Sequence, residues 1–198
     1  MSLIDLEPAA QRMARLVAEV PEGALTGPTP CGAYTVGDLL HHIGGTAVAF
    51  AHAAAKTQPE GGSQPPSGDA SRLPDDWRSR IPHDLGALAG AWRDPEAWTG
   101  QTRVGGVDLP GEVAGVIGLD ELVIHAWDVA RATGQPFDDD PASLEVVHGF
   151  LAGLAVPEQQ QLRSSIFGPI VDVPDDASLL DRALGLAGRS PDWSPDPA

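Results

Sequence analysis

The stretch DELVIHAWD carries Asp120, Glu121, His125 and Asp128 through an otherwise apolar run. Charged groups in such surroundings must be paired, bound to metal or turned to water. Glu121 and His125 are four residues apart. On a helix that spacing stands one side chain above the other. A carboxylate and an imidazole in this relation can grip one divalent ion. Helical bundles build metal sites from such inward-facing pairs on different helices.

A third ligand is available near the N-terminus. In VGDLLHHIGGTAVAF, a turn of about 100° per residue puts Val36, Leu39, Leu40, Ile43, Ala47 and Phe50 on one face. His41 and His52 fall nearly opposite that stripe, and His42 lies at its border, within reach of an interior. His42, Glu121 and His125 then make three protein ligands, which with water in a further position is the arrangement of a catalytic zinc site. The alternative is a salt-bridged or solvated Glu/His pair. Asp128, three residues beyond His125, is placed either to orient a ligand imidazole or to pair with Arg131. Asp120 is placed to do likewise or to bond another helix.

Other reactive groups are less well placed. Cys31 lies in the Pro/Gly-rich loop TGPTPCGAY with no sequence neighbour to act as its base, although folding could bring it to His42. His148 sits alone on a later segment, and His41, His52 and His83 have no assigned role. Trp77, Trp92, Trp98 and Trp127 are expected to pack between helices, with Trp127 also able to line a pocket.

Helices must position these groups. Leu3, Leu6, Ala10, Met13, Leu16, Val17 and Val20 repeat with a helical period over residues 3–20, and Pro21 and Gly23 end the run. Thr35 followed by Asp38 resembles a capping box that opens the second helix. Gly44 and Gly45 inside it suggest close approach of another element. Residues 57–74 form a polar Pro/Gly/Ser linker. A broken helical segment over residues 75–93 is expected to be interrupted at Pro82. RVGGVDL suggests a small hairpin turning at Gly105-Gly106. Pro110 opens the longest helix, to about Thr133, with Gly134 at its end. Further helices are expected over 141–154 and in DASLLDRALGLAGR. The expected class is all-α: residues 1–156 as a four-helix metal-binding bundle with a minor hairpin, and 157–198 as a C-terminal extension packing on it with one more helix.

Composition narrows the partners. The chain of 198 residues has a formal net charge of −16, which argues against binding a nucleic-acid backbone. No apolar run approaches the roughly 20 residues of a membrane helix, and the first twenty residues lack the order of a signal peptide. A cytoplasmic protein is expected. One cysteine excludes an intramolecular disulfide and any multi-cysteine zinc site.

Three blocks, PTPCGAYTVGDLLHHIGG, GLDELVIHAWDVARATGQ and FGPIVDVPDDASLLDRALGLAGR, resemble the proteins related to the metal-binding domain of mycothiol-dependent maleylpyruvate isomerase, in the DinB-like superfamily. The resemblance spans about residues 3–190. It implies a DinB-like four-helix bundle that binds zinc or another divalent metal such as Ni²⁺, with His42, Glu121 and His125 as ligands. It implies mycothiol or a similar cofactor thiol, and a small-molecule electrophile as its partner, with a homodimer allowed. Gly37 and Tyr34 stand where relatives often carry Arg and Trp. The isomerase proper also has a C-terminal domain that contributes to catalysis, and the residues after Pro157 look too few to supply it. The expected function is thus a metal-dependent thiol S-transferase or isomerase. The alternatives are a hydrolase using a zinc-bound water or a non-catalytic metal-binding module.

Overall fold

The Thr35 hydroxyl accepts the Asp38 backbone N–H at 3.2 Å, and the Asp38 carboxylate accepts the Thr35 N–H at 2.9 Å. This reciprocal cap starts α2 (Val36–Ala54) where the sequence places it. The other oxygen of Asp38 accepts the Ala70 N–H at 2.7 Å, tying the following loop to the helix start. The computed structural model describes residues 3–32, 34–58, 67–138, 140–164 and 166–195. The expected linker over 57–74 lies in part, at 59–66, outside the described residues; its far end forms a single 3₁₀ turn at Ala70–Arg72.

The remaining elements follow in order. They are α1 (Glu7–Ala18), α3 (Trp77–Ala91), strands β1 (Gln101–Val104) and β2 (Val107–Pro110), α4 (Gly111–Thr133), α5 (Pro141–Leu154), α6 (Gln160–Ser164) and α7 (Leu179–Leu186). The fold is mostly helical with a small hairpin, as the sequence predicts. α1 packs against α3 and α4, and α2 packs against the same two. The four close a ring in which α1 faces α2 across the core. Leu39 and Leu40 from α2, Met13 from α1, Leu85 and Leu88 from α3, and Leu119 from α4 fill that core. Burying each such side chain is worth roughly 1.5–3 kcal/mol. Among the described residues, no helix is long and apolar enough to cross a membrane.

One expectation fails. Pro82 does not break α3, which runs through it from Trp77 to Ala91. Proline denies the carbonyl four residues back its usual donor. Here that carbonyl belongs to Arg78, in the first turn, on a partly exposed residue. Burial of Ile81, Leu85 and Leu88 holds the helix together past the defect. Gly44 does meet a neighbour: a Cβ there would sit 3.4 Å from Ile81 of α3, whereas Gly45 is exposed.

The hairpin pairs Val104 with Val107 across Gly105 and Gly106, whose φ values of 58° and 83° a two-residue turn of this hand requires. It leads into α4, which ends at Gly134. The start of α4 is wedged against tryptophans. Trp92 Nε1 donates to the Phe50 carbonyl at 3.1 Å, and Trp98 Nε1 donates to the Trp92 carbonyl at 2.8 Å.

Outside the ring, α5 lies on α4 and α7 lies on α5. The chain then crosses itself. Gly188 follows α7 with φ of 77°, and a Cβ there would sit 2.9 Å from the Gly168 carbonyl. That crossing returns the C-terminal extension to the open end of the bundle, with Phe167 on one arm and Arg189 on the other.

Candidate metal centre

α2 presents His42 and α4 presents Glu121 and His125 to one point. His42 Nε2 lies 3.1 Å from Glu121 Oε2, and His125 Nε2 lies 3.3 Å from the same oxygen. The two rings meet edge to face, centroids 4.9 Å apart. All three ligand atoms fall within 4.8 Å of one another. Ligands at 2.0–2.1 Å around a tetrahedral zinc stand roughly 3.3 Å apart, so the observed spacing suits that ion with little adjustment. Two imidazole nitrogens and a carboxylate also suit zinc or nickel by donor type.

The surroundings fix how each donor is presented. His125 Nδ1 donates to Asp128 Oδ2 at 2.8 Å, which leaves Nε2 to face Glu121. Asp128 is fully buried, and Arg189 grips it from the far side with Nη2 at 3.0 Å from Oδ2 and Nε at 3.4 Å from Oδ1. Burial opposes the charge on Asp128, but Arg189 and then His125 outweigh it and hold the carboxyl below its usual range. Burial likewise works against a charged His125, yet its bonds to Asp128 and Glu121 raise the ring to about 9. Burial also disfavours the Glu121 carboxylate, and the two histidines outweigh it strongly, leaving it ionised.

The expected pairing of Asp128 with Arg131 is not formed. Arg131 donates instead to the carbonyls of Pro191 and Trp193. Position i+3 on a helix is near enough for that pair, but the Arg189 side chain arrives from the C-terminal arm and takes the carboxylate. The sequence alone does not single out Arg189 as a site residue. It follows the positive-φ Gly188 and lies 61 residues from Asp128. A Gly-Arg after the last helix is the only local signal.

Among the described residues, Asp120 has no hydrogen-bond partner from another helix either. Its Oδ1 is buried without a hydrogen bond among the described residues. Burial first, and the Glu121 charge beside it second, push its carboxyl up to about 8.

Cys31 comes to His125 and Asp128, with ligand atoms within 4.8 Å, and lines the same cavity as His42. That alternative cluster is a poor cation site because Asp128 already carries the Arg189 guanidinium. Burial pushes the Cys31 thiol up to about 11, so it stays protonated near neutrality and is a weak nucleophile. His41 donates to the Ser67 carbonyl at 2.9 Å and His52 shares a hydrogen bond with Thr57, both away from the centre. Trp127 is buried and is absent from the cavity wall.

A cavity of about 430 Å³ opens over the cluster. Its polar end carries His42, Glu121, His125 and Arg189, and its apolar wall includes Ile124, Ile166 and Phe167.

Residues 6–130 match the family described as mycothiol maleylpyruvate isomerase N-terminal domain. The chain belongs to this family. The matched span includes all three candidate ligands and stops short of Arg189. Two uncharacterized proteins of Mycobacterium tuberculosis, from strains CDC 1551 and H37Rv, are each 31% identical over 134 residues, covering 67% of this chain and 68% of their own. The fold of this family member is similar to the crystal structure of the mycothiol-dependent maleylpyruvate isomerase, with a TM-score of 0.65 at 19% identity over 94% of this chain and 88% of that one. A histidine-to-alanine mutant of the isomerase gives 0.59 at 18% identity, covering 86% of this chain and 73% of that one. A match over 94% of the chain extends well past residue 130, so the C-terminal extension has counterparts in the isomerase fold.

Proposed function

We propose that this protein is a divalent-metal-dependent S-transferase or isomerase that works with a low-molecular-weight thiol of the mycothiol class. The observation that carries the reading is the convergence of His42 Nε2 and His125 Nε2 on one oxygen of Glu121 at the floor of an open cavity. Family membership and the similarity in fold support it.

His42, Glu121 and His125 would hold the ion. A zinc ion bound there supplies Lewis acidity, which favours thiolate over thiol at neutral pH. Glu121 offsets one of its charges. Asp128 keeps His125 Nε2 turned toward the position of the ion, and Arg189 keeps Asp128 ionised for that task. The apolar wall excludes water from the sulfur. In transfer, R–SH and R′–X give R–S–R′ and HX: a sulfur–carbon bond forms, the carbon–X bond breaks, and X departs with its electron pair and the thiol proton. In isomerisation the sulfur adds to an activated double bond, the resulting single bond rotates, and the sulfur leaves with its electron pair. The double bond returns with no net change in atoms.

Metal analysis of the purified protein beside His42→Ala and His125→Ala tests the site. About one divalent ion per wild-type chain, and little in either variant, is expected. Adding a thiol to the cobalt-substituted protein should produce a thiolate-to-cobalt charge-transfer band. Full metal content in both variants, or a cobalt spectrum indifferent to thiol, overturns the reading.

A further inference from the structure

Two cavities meet at Phe167. One is the cavity over the His42, Glu121 and His125 cluster. The other is a groove of about 620 Å³ between the end of α5 and residues 157–164 and 167–170, with Val156, Pro157, Pro169 and Ile170 among its walls. Phe167 lines both.

The groove lies along the stretch of chain richest in exposed large apolar side chains. Among the described residues, six large apolar side chains are exposed, and four of them, Val156, Leu162, Ile166 and Ile170, fall within fifteen residues of one another. The surrounding chain is strongly acidic, with a net charge of −16. Concentrated apolar exposure on such a protein marks a binding surface. The groove has one cation in its wall, Arg163, and its charge is engaged elsewhere. Arg163 is buried, donates to the Leu186 carbonyl at 2.6 Å, and lies 6.0 Å from the centre of the Phe167 ring.

We infer that the groove seats an apolar chain or ring carried by the electrophile whose reactive carbon lies at the His42, Glu121 and His125 cluster. The substrate class is therefore an amphipathic electrophile, with its reactive head among charged and imidazole groups and its hydrocarbon tail along Phe167 toward Val156 and Ile170. The shared ring points to the occupant. A molecule in the polar cavity lies against Ile166 and Phe167, and the groove has Phe167 in its own wall. The sizes agree, since each cavity lies within the range of about 300–1,000 Å³ typical of small-molecule sites. This inference rests on the thiol-transfer reading above.

Straight-chain alkanethiols test it, because they mimic the thioether product with sulfur at the cluster and hydrocarbon in the groove. Ethanethiol, hexanethiol and octanethiol are titrated into cobalt-substituted protein, following the charge-transfer band and the heat of binding. Affinity should rise by about threefold to fourfold per added methylene. Val156→Asp and Ile170→Asp, at positions 40% and 45% exposed, should fold normally by circular dichroism. They should bind ethanethiol as the wild type does and lose most of the gain with chain length.

A band of equal affinity for all three thiols overturns the inference and leaves the thiol reading intact. A chain-length gain that survives both variants overturns it as well, because the tail then lies elsewhere. So does a dimer in sedimentation that the two variants convert to monomer, which assigns the groove to a second copy of the chain. No band with any thiol removes the thiol-transfer reading itself, and the inference falls with it.

Discussion

Asp120 and Asp128 lie on the same helix, eight residues apart, and both are buried. They behave in opposite ways. Asp128 is held by an imidazole on one side and a guanidinium on the other, and its carboxyl stays ionised well below the usual range. Asp120 has an oxygen with no donor among the described residues and a carboxylate neighbour, and its carboxyl rises to about 8. Burial is common to both, so partners decide the charge. The difference separates a residue that supports the centre from one that stores a cost beside it.

The sharpest way to break this comparison is Arg189→Met. Removing one side of a buried ion pair strands the other charge and typically costs about 3–5 kcal/mol. Urea unfolding at pH 7 should show a loss of that size, and an unchanged midpoint would mean that Asp128 does not depend on Arg189. The next effect falls on metal affinity. Asp128→Asn removes the charge that orients His125, and loss of such a supporting carboxylate typically weakens binding by about 10–100-fold. Competition with a chromophoric chelator measures it. Wild-type affinity in the variant would reduce Asp128 to a structural ion pair.

The smallest effect is expected at Asp120. Its folded value of about 8 lies above the ordinary carboxylate value of 3.8. The folded chain therefore holds this proton more tightly than the unfolded chain, and stability falls as pH rises between those values. Asp120→Asn should match the wild type near pH 4 and exceed it increasingly as pH rises toward 9, in chelator-treated protein. Parallel pH profiles for the two would show that Asp120 has a donor after all.

Much of the candidate site could be read from the chain alone. Glu121 and His125 are one helical turn apart, and His42 lies on the border of an apolar stripe, so periodicity alone brings the three inward. The helices themselves were equally legible where a cap or a glycine stop marks them, as at Thr35 and Gly134. Pro82 shows the limit: a local rule predicts a break, and buried side chains on three successive turns override it. The partners of the two aspartates lay further beyond reach. Arg189 reaches Asp128 only because the chain crosses itself, and no periodicity reports a crossing. Arg131, the nearer candidate, was the reasonable choice from spacing and is occupied elsewhere. The place of Cys31 beside His125 has the same origin, since it depends on how a loop without regular structure lies over α4.

The contact between Gly168 and Gly188 carries a consequence for how such a protein can change. One arm of the crossing bears the ring that lines both cavities, and the other bears the guanidinium that steadies the centre. A methyl group added at position 188 has nowhere to go, so both arms must shift together. Variation at that spot would retune what the molecule accepts and how firmly it keeps its ion in a single stroke, whereas drift at Val156 or Ile170 could alter acceptance alone.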